Sequence, residues 1–408
     1  MTAIVEDATA PHQQSLLRDV QARTPEDAST LLANAPPALA AWILFQLNPG
    51  FACDILDRLQ PQFVREIADT VPLATARQWD SNRRFQSGHI GRLMEPVHAV
   101  FRPDATVAQT VESLRGLIRT TLVTYCYVVD EAGRLVGVIT MRDLLFAQDN
   151  DMLGTLMLRS PFRLQPDQAL ADAMKLTLER HFPVYPVCDA DGLLIGQVRG
   201  QAMFEAQAFD ITAQAGTMVG VEKEERLSTP WGRSLKFRHP WLQLNLLTAF
   251  VAGAVVGLFE HTVERLVALA AFLPVLAGQS GNTGCQALAV TLRGLTLGEL
   301  RPGEERALVM KEASLGFMNG AFTGLVAASG MFIYASAQGS PHAVMLSVVV
   351  WLALVVACVT SGICGAMIPL TLKRFGADPA TASSIFLTTA TDVVSMGLLL
   401  GLASLLVR

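Results

Sequence analysis

The sequence predicts a multi-domain chain: an all-α segment first, then a duplicated α/β module, then an all-α polytopic membrane half with five spanning helices. Three observations carry that expectation. Of the 36 acidic residues, 28 precede Pro240, and long uncharged apolar runs follow it. A strand, turn, strand, helix pattern occurs twice in the middle of the chain, once from Tyr127 and once from Pro186. Prolines at Pro37, Pro49, Pro61 and Pro72 punctuate the early chain at nearly regular intervals.

Composition narrows the class. The chain has 408 residues, 16% of them charged, and a mean hydropathy of +0.37, which is poor in charge for a wholly soluble protein. A net charge of −5 gives no basic footprint for nucleic acid. The six cysteines show no CxxC or Cys/His spacing and read as reduced structural thiols. No Ser/His/Asp, Cys/His or paired-carboxylate arrangement stands out, so an enzyme is not expected. Residues 1–30 are polar and acidic, unlike a secretory signal, so a cytoplasmic N-terminus is expected.

Residues 1–92 are expected to form a helical domain after a mobile start. Pro37, Pro49 and Pro61 each open a segment with apolar residues at helical spacing: ALAAWILFQL, GFACDILDRL and QFVREIADTV. Proline suits the first helical turn, where its missing N–H has no intrahelical acceptor. The prediction is a stack of short helices.

In residues 93–210, YVVDEAGRLVGVITMRDLL repeats as PVCDADGLLIGQVRGQAMF, pairing Asp130 with Asp189, Gly133 with Gly192 and Gly137 with Gly196. Each copy reads as a hairpin with an Asp/Gly turn, followed by a helix. The upstream runs TVAQTVESLRGL and ALADAMKLTLER have amphipathic helical spacing. This duplication resembles a tandem pair of CBS domains (93–152 and 153–210), a Bateman module that often senses nucleotides. The resemblance implies a ribose-binding pair at Thr140 and Asp143, hence one ATP site; the second copy has Arg199 and Ala202 instead.

Residues 211–240 read as a linker. It carries the acidic run EKEE, then STPWGRSLKFRHPW, in which Ser228 is expected to cap a helix opening with Thr229 and Pro230. Its aromatic and basic residues suit the cytoplasmic membrane face, and Pro240 is expected to break the chain before the first span. The acidic run is either a solvated surface or a regulatory cation site.

Residues 241–408 supply five runs long enough for ~20 residues across a hydrocarbon core. They are Trp241–Phe259, Leu266–Leu292 (broken at Pro274), Ala313–Ala335, Val344–Leu372 and Ala380–Val407. Arg293, Arg301, Arg306, Lys311, Lys373 and Arg374 fall in the inside loops; Arg265 and Arg408 fall outside. That bias predicts a multi-pass cell-membrane protein with an external C-terminus. Small residues in GFMNGAFTGLVAASG and TSGICG read as helix packing.

Two stretches read differently. PVLAGQSGNTGCQALAVTLRGL sets Gly278, Gly281 and Gly284 around Asn282 and Gln286. FLTTATDVVS places Asp392 in a run otherwise uncharged from Pro379 to Val407. An acid at membrane depth costs several kcal/mol unless it meets water, a partner or a cation. The reading is a cation path.

These two motifs, HPWLQLNLLTAFVAGAVVGLFE before them, and the domain order resemble the MgtE family of magnesium channels over nearly the whole chain. The resemblance implies a homodimer in a lipid bilayer that imports Mg²⁺ as substrate. Asp392 is then the metal-site carboxylate, with Gly281, Asn282, Gln286, Thr388 and Thr389 along the filter. It implies closure by intracellular Mg²⁺, for which Glu222, Glu224, Glu225, Asp189 and Asp191 are the carried-over acids. The sequence departs from the family at Cys285, Ser280 and Ser395, and a thiol beside the path would favour softer ions. Other readings of the same residues are a Co²⁺, Ni²⁺ or Mn²⁺ transporter, a proton- or sodium-coupled exporter, and a non-transporting CBS membrane sensor.

Overall fold

The computed structural model describes residues 10–119, 121–178, 180, 182–301 and 303–407. The expected mobile start and Arg408 therefore fall outside or partly outside the described residues. The chain divides into two compact units: Met1–Ile211 with Glu224–Thr229, and Thr212–Lys223 with Pro230–Arg408.

The first unit begins with six short helices: α1 (Ala10–Gln21), α2 (Pro25–Leu32), α3 (Pro37–Gln46), α4 (Pro49–Leu56), α5 (Pro61–Ala68) and α6 (Leu73–Asn82). As the spacing predicts, Pro37, Pro49 and Pro61 each begin a helix, and Pro25 does the same one interval earlier. Each helix is too short to be stable alone, so burial of Leu32, Ile43, Leu44, Ile55, Leu56 and Ile67 in one core holds the stack.

The duplicated module follows. Its first copy contains β1 (Val100–Phe101), α7 (Val107–Leu117), β2 (Tyr125–Val129), β3 (Leu135–Thr140) and α8 (Met141–Phe146). After α9 (Leu153–Leu156) and β4 (Leu158–Arg159), the second has α10 (Leu170–Thr177), β5 (Val184–Cys188), β6 (Leu194–Arg199) and α11 (Gly200–Thr217). The repeat is exact in register. Both hairpins are antiparallel, and both carry an irregularity at the last residue pair, Val128/Val129 and Val187/Cys188. Asp130 Oδ1 accepts from the N–H of Ala132 (3.0 Å) and Arg134 (2.8 Å). Asp189 Oδ1 does the same with Asp191 (3.0 Å) and Leu193 (2.8 Å). Gly133 and Gly192 follow at φ +83° and +85°, a backbone region that excludes most side chains. The helix of the second copy runs on to Thr217, past the expected boundary at residue 210.

The second unit contains α12 (Trp231–Gly257), α13 (Glu260–Arg265), α14 (Ala268–Leu297), α15 (Glu305–Ala337), α16 (Ala343–Arg374) and α17 (Ser383–Leu406). Three expectations are corrected here. Pro240 does not break the chain before the first span, because α12 runs through it. Pro274 likewise lies inside a continuous α14. A mid-helix proline removes one hydrogen bond, and helix neighbours at membrane depth compensate for that loss. Nor is Ser228 the helix cap; its hydroxyl donates to Ala22 O (2.6 Å), and Pro230 precedes α12.

Among the described helices, α12, α15, α16 and α17 are long and apolar enough to cross a membrane. The fifth, α14, has 30 residues, or about 45 Å of helix. It is less apolar because Gln279, Ser280, Asn282, Thr283 and Gln286 interrupt it. Small residues set the packing, as expected. A Cβ on Gly362 would lie 2.5 Å from Glu312 O, and one on Gly365 would lie 2.5 Å from Gly284 O. These backbones meet because neither residue has a side chain.

Candidate cation site in the membrane half

The site is built where α14 passes α17. A Cβ on Gly284 would lie 2.9 Å from the Leu387 side chain, and one on Gly281 would lie 3.9 Å from Thr391 Oγ1. As α14 advances from 281 to 284, its neighbours on α17 run back from 391 to 387, so the two helices are antiparallel. Gly281 and Thr391 thus mark one level of the bundle. Asn282 and Asp392 are the next residues along each helix.

Two amides of α14 share one exposed stripe. Gly278, Asn282 and Gln286 are exposed and four residues apart, hence on one helix face. Thr283, Gly284, Ala287 and Leu288 are buried on the opposite side. On α17, Thr388, Thr389 and Asp392 are half-buried. The hydroxyls of Thr388 and Thr389 both donate to Ile385 O, at 3.1 and 2.8 Å. A hydroxyl that donates keeps lone pairs to offer a cation. Asp392 makes no salt bridge to any described residue. Its main-chain O accepts from Ser395 Oγ (3.3 Å).

The positions that depart from the family are accommodated locally. Ser280 and Ser395 are fully buried, and the Ser280 hydroxyl turns back to Ala277 O (3.2 Å). Cys285 is half-buried and packs with Met218, Cys364 and Ile368 around Leu288, Leu292, Ala380 and Leu387. Its thiol lies on the packed side of α14, off the Asn282–Gln286 stripe.

Sequence reasoning left out a second acid. Glu312 on α15 is only 6% exposed, and the expected span began one residue after it. Its signal was faint because Lys311 precedes it at a helix end rich in charge.

The carried-over regulatory acids are dispersed. Asp189 serves its turn, and Asp191 lies in that turn. Glu224 pairs with Arg58 at 2.9 Å. Glu222 belongs to one unit, and Glu224 and Glu225 to the other. No group of three or more His, Cys, Asp or Glu suited to a metal occurs among the described residues. Thr140 and Asp143 do meet, as a capping box on α8, with their side chains 2.7 Å apart.

Residues 273–402 match the family model MgtE, divalent cation transporter, and residues 90–150 match the CBS domain model. The magnesium transporter MgtE of Thermus thermophilus is 28% identical over 83% of this chain and 75% of its own length. That of Enterococcus faecalis is 28% identical over 70% of this chain and 61% of its own. A crystal structure of the cytosolic domain of the Mg²⁺ channel MgtE with ATP overlaps 47% of this chain and 89% of that one, with 26% identity and a TM-score of 0.37. The fold and the matched models define a polytopic membrane protein with a CBS-bearing half and a divalent cation transporter half. The chain thus carries an MgtE family-model domain over residues 273–402 together with a CBS domain.

Proposed function

We propose that the protein is a homodimeric Mg²⁺ channel of the cell membrane. Asp392 is its cation-binding carboxylate, and Gly281, Asn282, Gln286, Thr388 and Thr389 line the path. One observation carries this reading: Asp392 is half-buried in an apolar helix with no salt bridge to a described residue, one position after Thr391, whose hydroxyl faces Gly281 of α14. Such a carboxylate is costly at membrane depth, and a divalent cation neutralises two of them. Mg²⁺ takes oxygen ligands and keeps several waters. Carboxylate, amide and hydroxyl oxygens suit a partly hydrated ion. The exposed apolar surface of α12, including Leu246, Leu247 and Phe250, supports contact with lipid and a second copy. On this reading the N-terminus is cytoplasmic and the C-terminus external.

The test is current through the full-length protein in planar bilayers under a Mg²⁺ gradient. Reversal at the Mg²⁺ Nernst potential, unmoved by proton or Na⁺ gradients, is expected. Reversal that follows either gradient would mean a coupled exporter, and no divalent flux would mean a sensor. Larger Co²⁺, Ni²⁺ or Mn²⁺ currents under matched conditions would replace Mg²⁺ as the substrate.

The CBS-bearing half is proposed to regulate the pore, with ATP held at Thr140 and Asp143. Their carboxylate and hydroxyl already satisfy each other and the start of α8, so a ribose must compete with that cap. Calorimetry on the full chain should show heat on ATP addition. Absence of heat at millimolar nucleotide would remove the site.

A further inference from the structure

Resting on the reading that α14 and α17 line the ion path, we propose that the stretch from Gln214 to Lys223 positions α17, and with it Asp392. An internal lysine ion pair forms part of that hold.

The start of α17 needs help from elsewhere. Its N-cap residue, Ala382, sits at φ +49° and provides no side-chain cap. The first N–H groups of a helix have no intrahelical acceptors, and a non-glycine residue stays in the left-handed region only where its surroundings enforce it. Here the acceptors come from the end of α11. Ala382 N–H donates to Thr217 O at 2.9 Å, and Ser384 N–H donates to Met218 O at 3.1 Å. The Ser384 hydroxyl donates to the same Met218 O at 2.7 Å.

The same stretch also holds the loop before α17 and the end of α14. Lys223 Nζ lies 3.3 Å from Asp378 Oδ2, while Asp378 Oδ1 accepts from Ala380 N–H at 2.9 Å. Asp378 is therefore held by an ammonium and in turn shapes the entry to α17. Gln214 Nε2 donates to Thr296 Oγ1 on α14 at 2.6 Å. Met218 fills the cluster of Leu288, Leu292, Ala380 and Leu387 between them. Gly220, at φ +80°, turns the chain where a Cβ would strike Trp241 at 2.7 Å. One short segment thus fixes both helices that carry the polar residues of the path.

Both charges of the Lys223–Asp378 pair belong to the chain, so the hold needs no divalent ion. The test uses full-length protein in proteoliposomes with Lys223→Met, Asp378→Asn and the swap Lys223→Asp with Asp378→Lys. Amide hydrogen exchange across residues 377–390 reads the position of α17 without requiring transport. Each single variant should exchange there about threefold faster or more, and the swap should restore the wild-type rate. Mg²⁺ influx, followed with an internal indicator dye, should show a half-saturating concentration raised about threefold in the single variants and restored by the swap. Unchanged exchange in both single variants overturns the proposal. So does faster exchange with unaltered Mg²⁺ dependence in a conducting wild type. If the wild type carries no Mg²⁺, the transport reading fails, and exchange alone decides whether this stretch positions α17.

Discussion

Replacing Asp392 by Asn is expected to lower Mg²⁺ influx by about two orders of magnitude or more. The amide keeps the size and one oxygen but removes the charge. Two unit charges 4 Å apart attract by about 4 kcal/mol at an effective dielectric constant of 20, and a divalent ion doubles that. Even a third of the doubled value, about 2.7 kcal/mol, corresponds to roughly a hundredfold in binding. Asp392→Glu retains the charge on a longer stem and should keep partial influx. Fold is not expected to suffer, because an uncharged side chain is cheaper at membrane depth than a lone carboxylate. The measurement is initial Mg²⁺ influx into proteoliposomes, normalised to reconstituted protein, with thermal unfolding as the control. Wild-type influx in Asp392→Asn would remove this residue from the site. Loss of influx with a collapsed unfolding temperature would mean that its role is structural.

How legible this was in the sequence depends on the range of the interactions. The hairpins were plain because turn chemistry is local: Asp130 and Gly133, like Asp189 and Gly192, fix the turn within four residues. The early helices were plain because proline announces a first turn. Asp392 was plain because a solitary charge in an apolar run has few inexpensive explanations. The helix breaks expected at Pro240 and Pro274 did not occur. A proline's cost is set by what surrounds the freed carbonyl, which sequence spacing does not reveal. The stripe on α14 was only half legible. Its amides stood out, but the sequence did not show that Gly281 and Gly284 face α17 while Gly278 is open. Least visible were contacts such as Met218 with Ser384, because the residues that cap α17 lie 166 positions away.

The second large effect is expected in the first unit, at Arg92. This residue belongs to the short segment Ile90–Leu93, which leads from the helical stack into the duplicated module. Its side chain is only 8% exposed. The guanidinium donates to Asp54 Oδ1 at 2.8 Å, to Asp57, and to Arg83 O at 3.2 Å, while Arg83 reaches Asp57 from the other side at 2.6 Å. Burial also pushes the neighbouring Cys53 thiol up to about 12, so it stays protonated. Substitution of Arg92 by Met keeps much of the stem's packing but leaves Asp54 without this partner.

Breaking a buried pair costs about 3–5 kcal/mol. Because the two carboxylates are partly exposed, about 2–3 kcal/mol is expected here. For a unit of this size that corresponds to a fall in unfolding temperature of roughly 5–10 °C, readable through the fluorescence of Trp42 and Trp79. The pH dependence has a definite sign. Partial burial pushes the Asp57 carboxyl up, but hydrogen bonds from Arg83 and Arg92 outweigh it and hold the group below its ordinary value of 3.8. A carboxylate with a lowered folded value stabilises above its unfolded value, and that contribution disappears as pH falls through the folded one. The deficit of Arg92→Met should therefore be full at neutral pH and shrink below about pH 4. An unfolding temperature within 1 °C of wild type at pH 7 would show that packing around Ile90 and Leu93, rather than the ion pairs, joins the helical stack to the module.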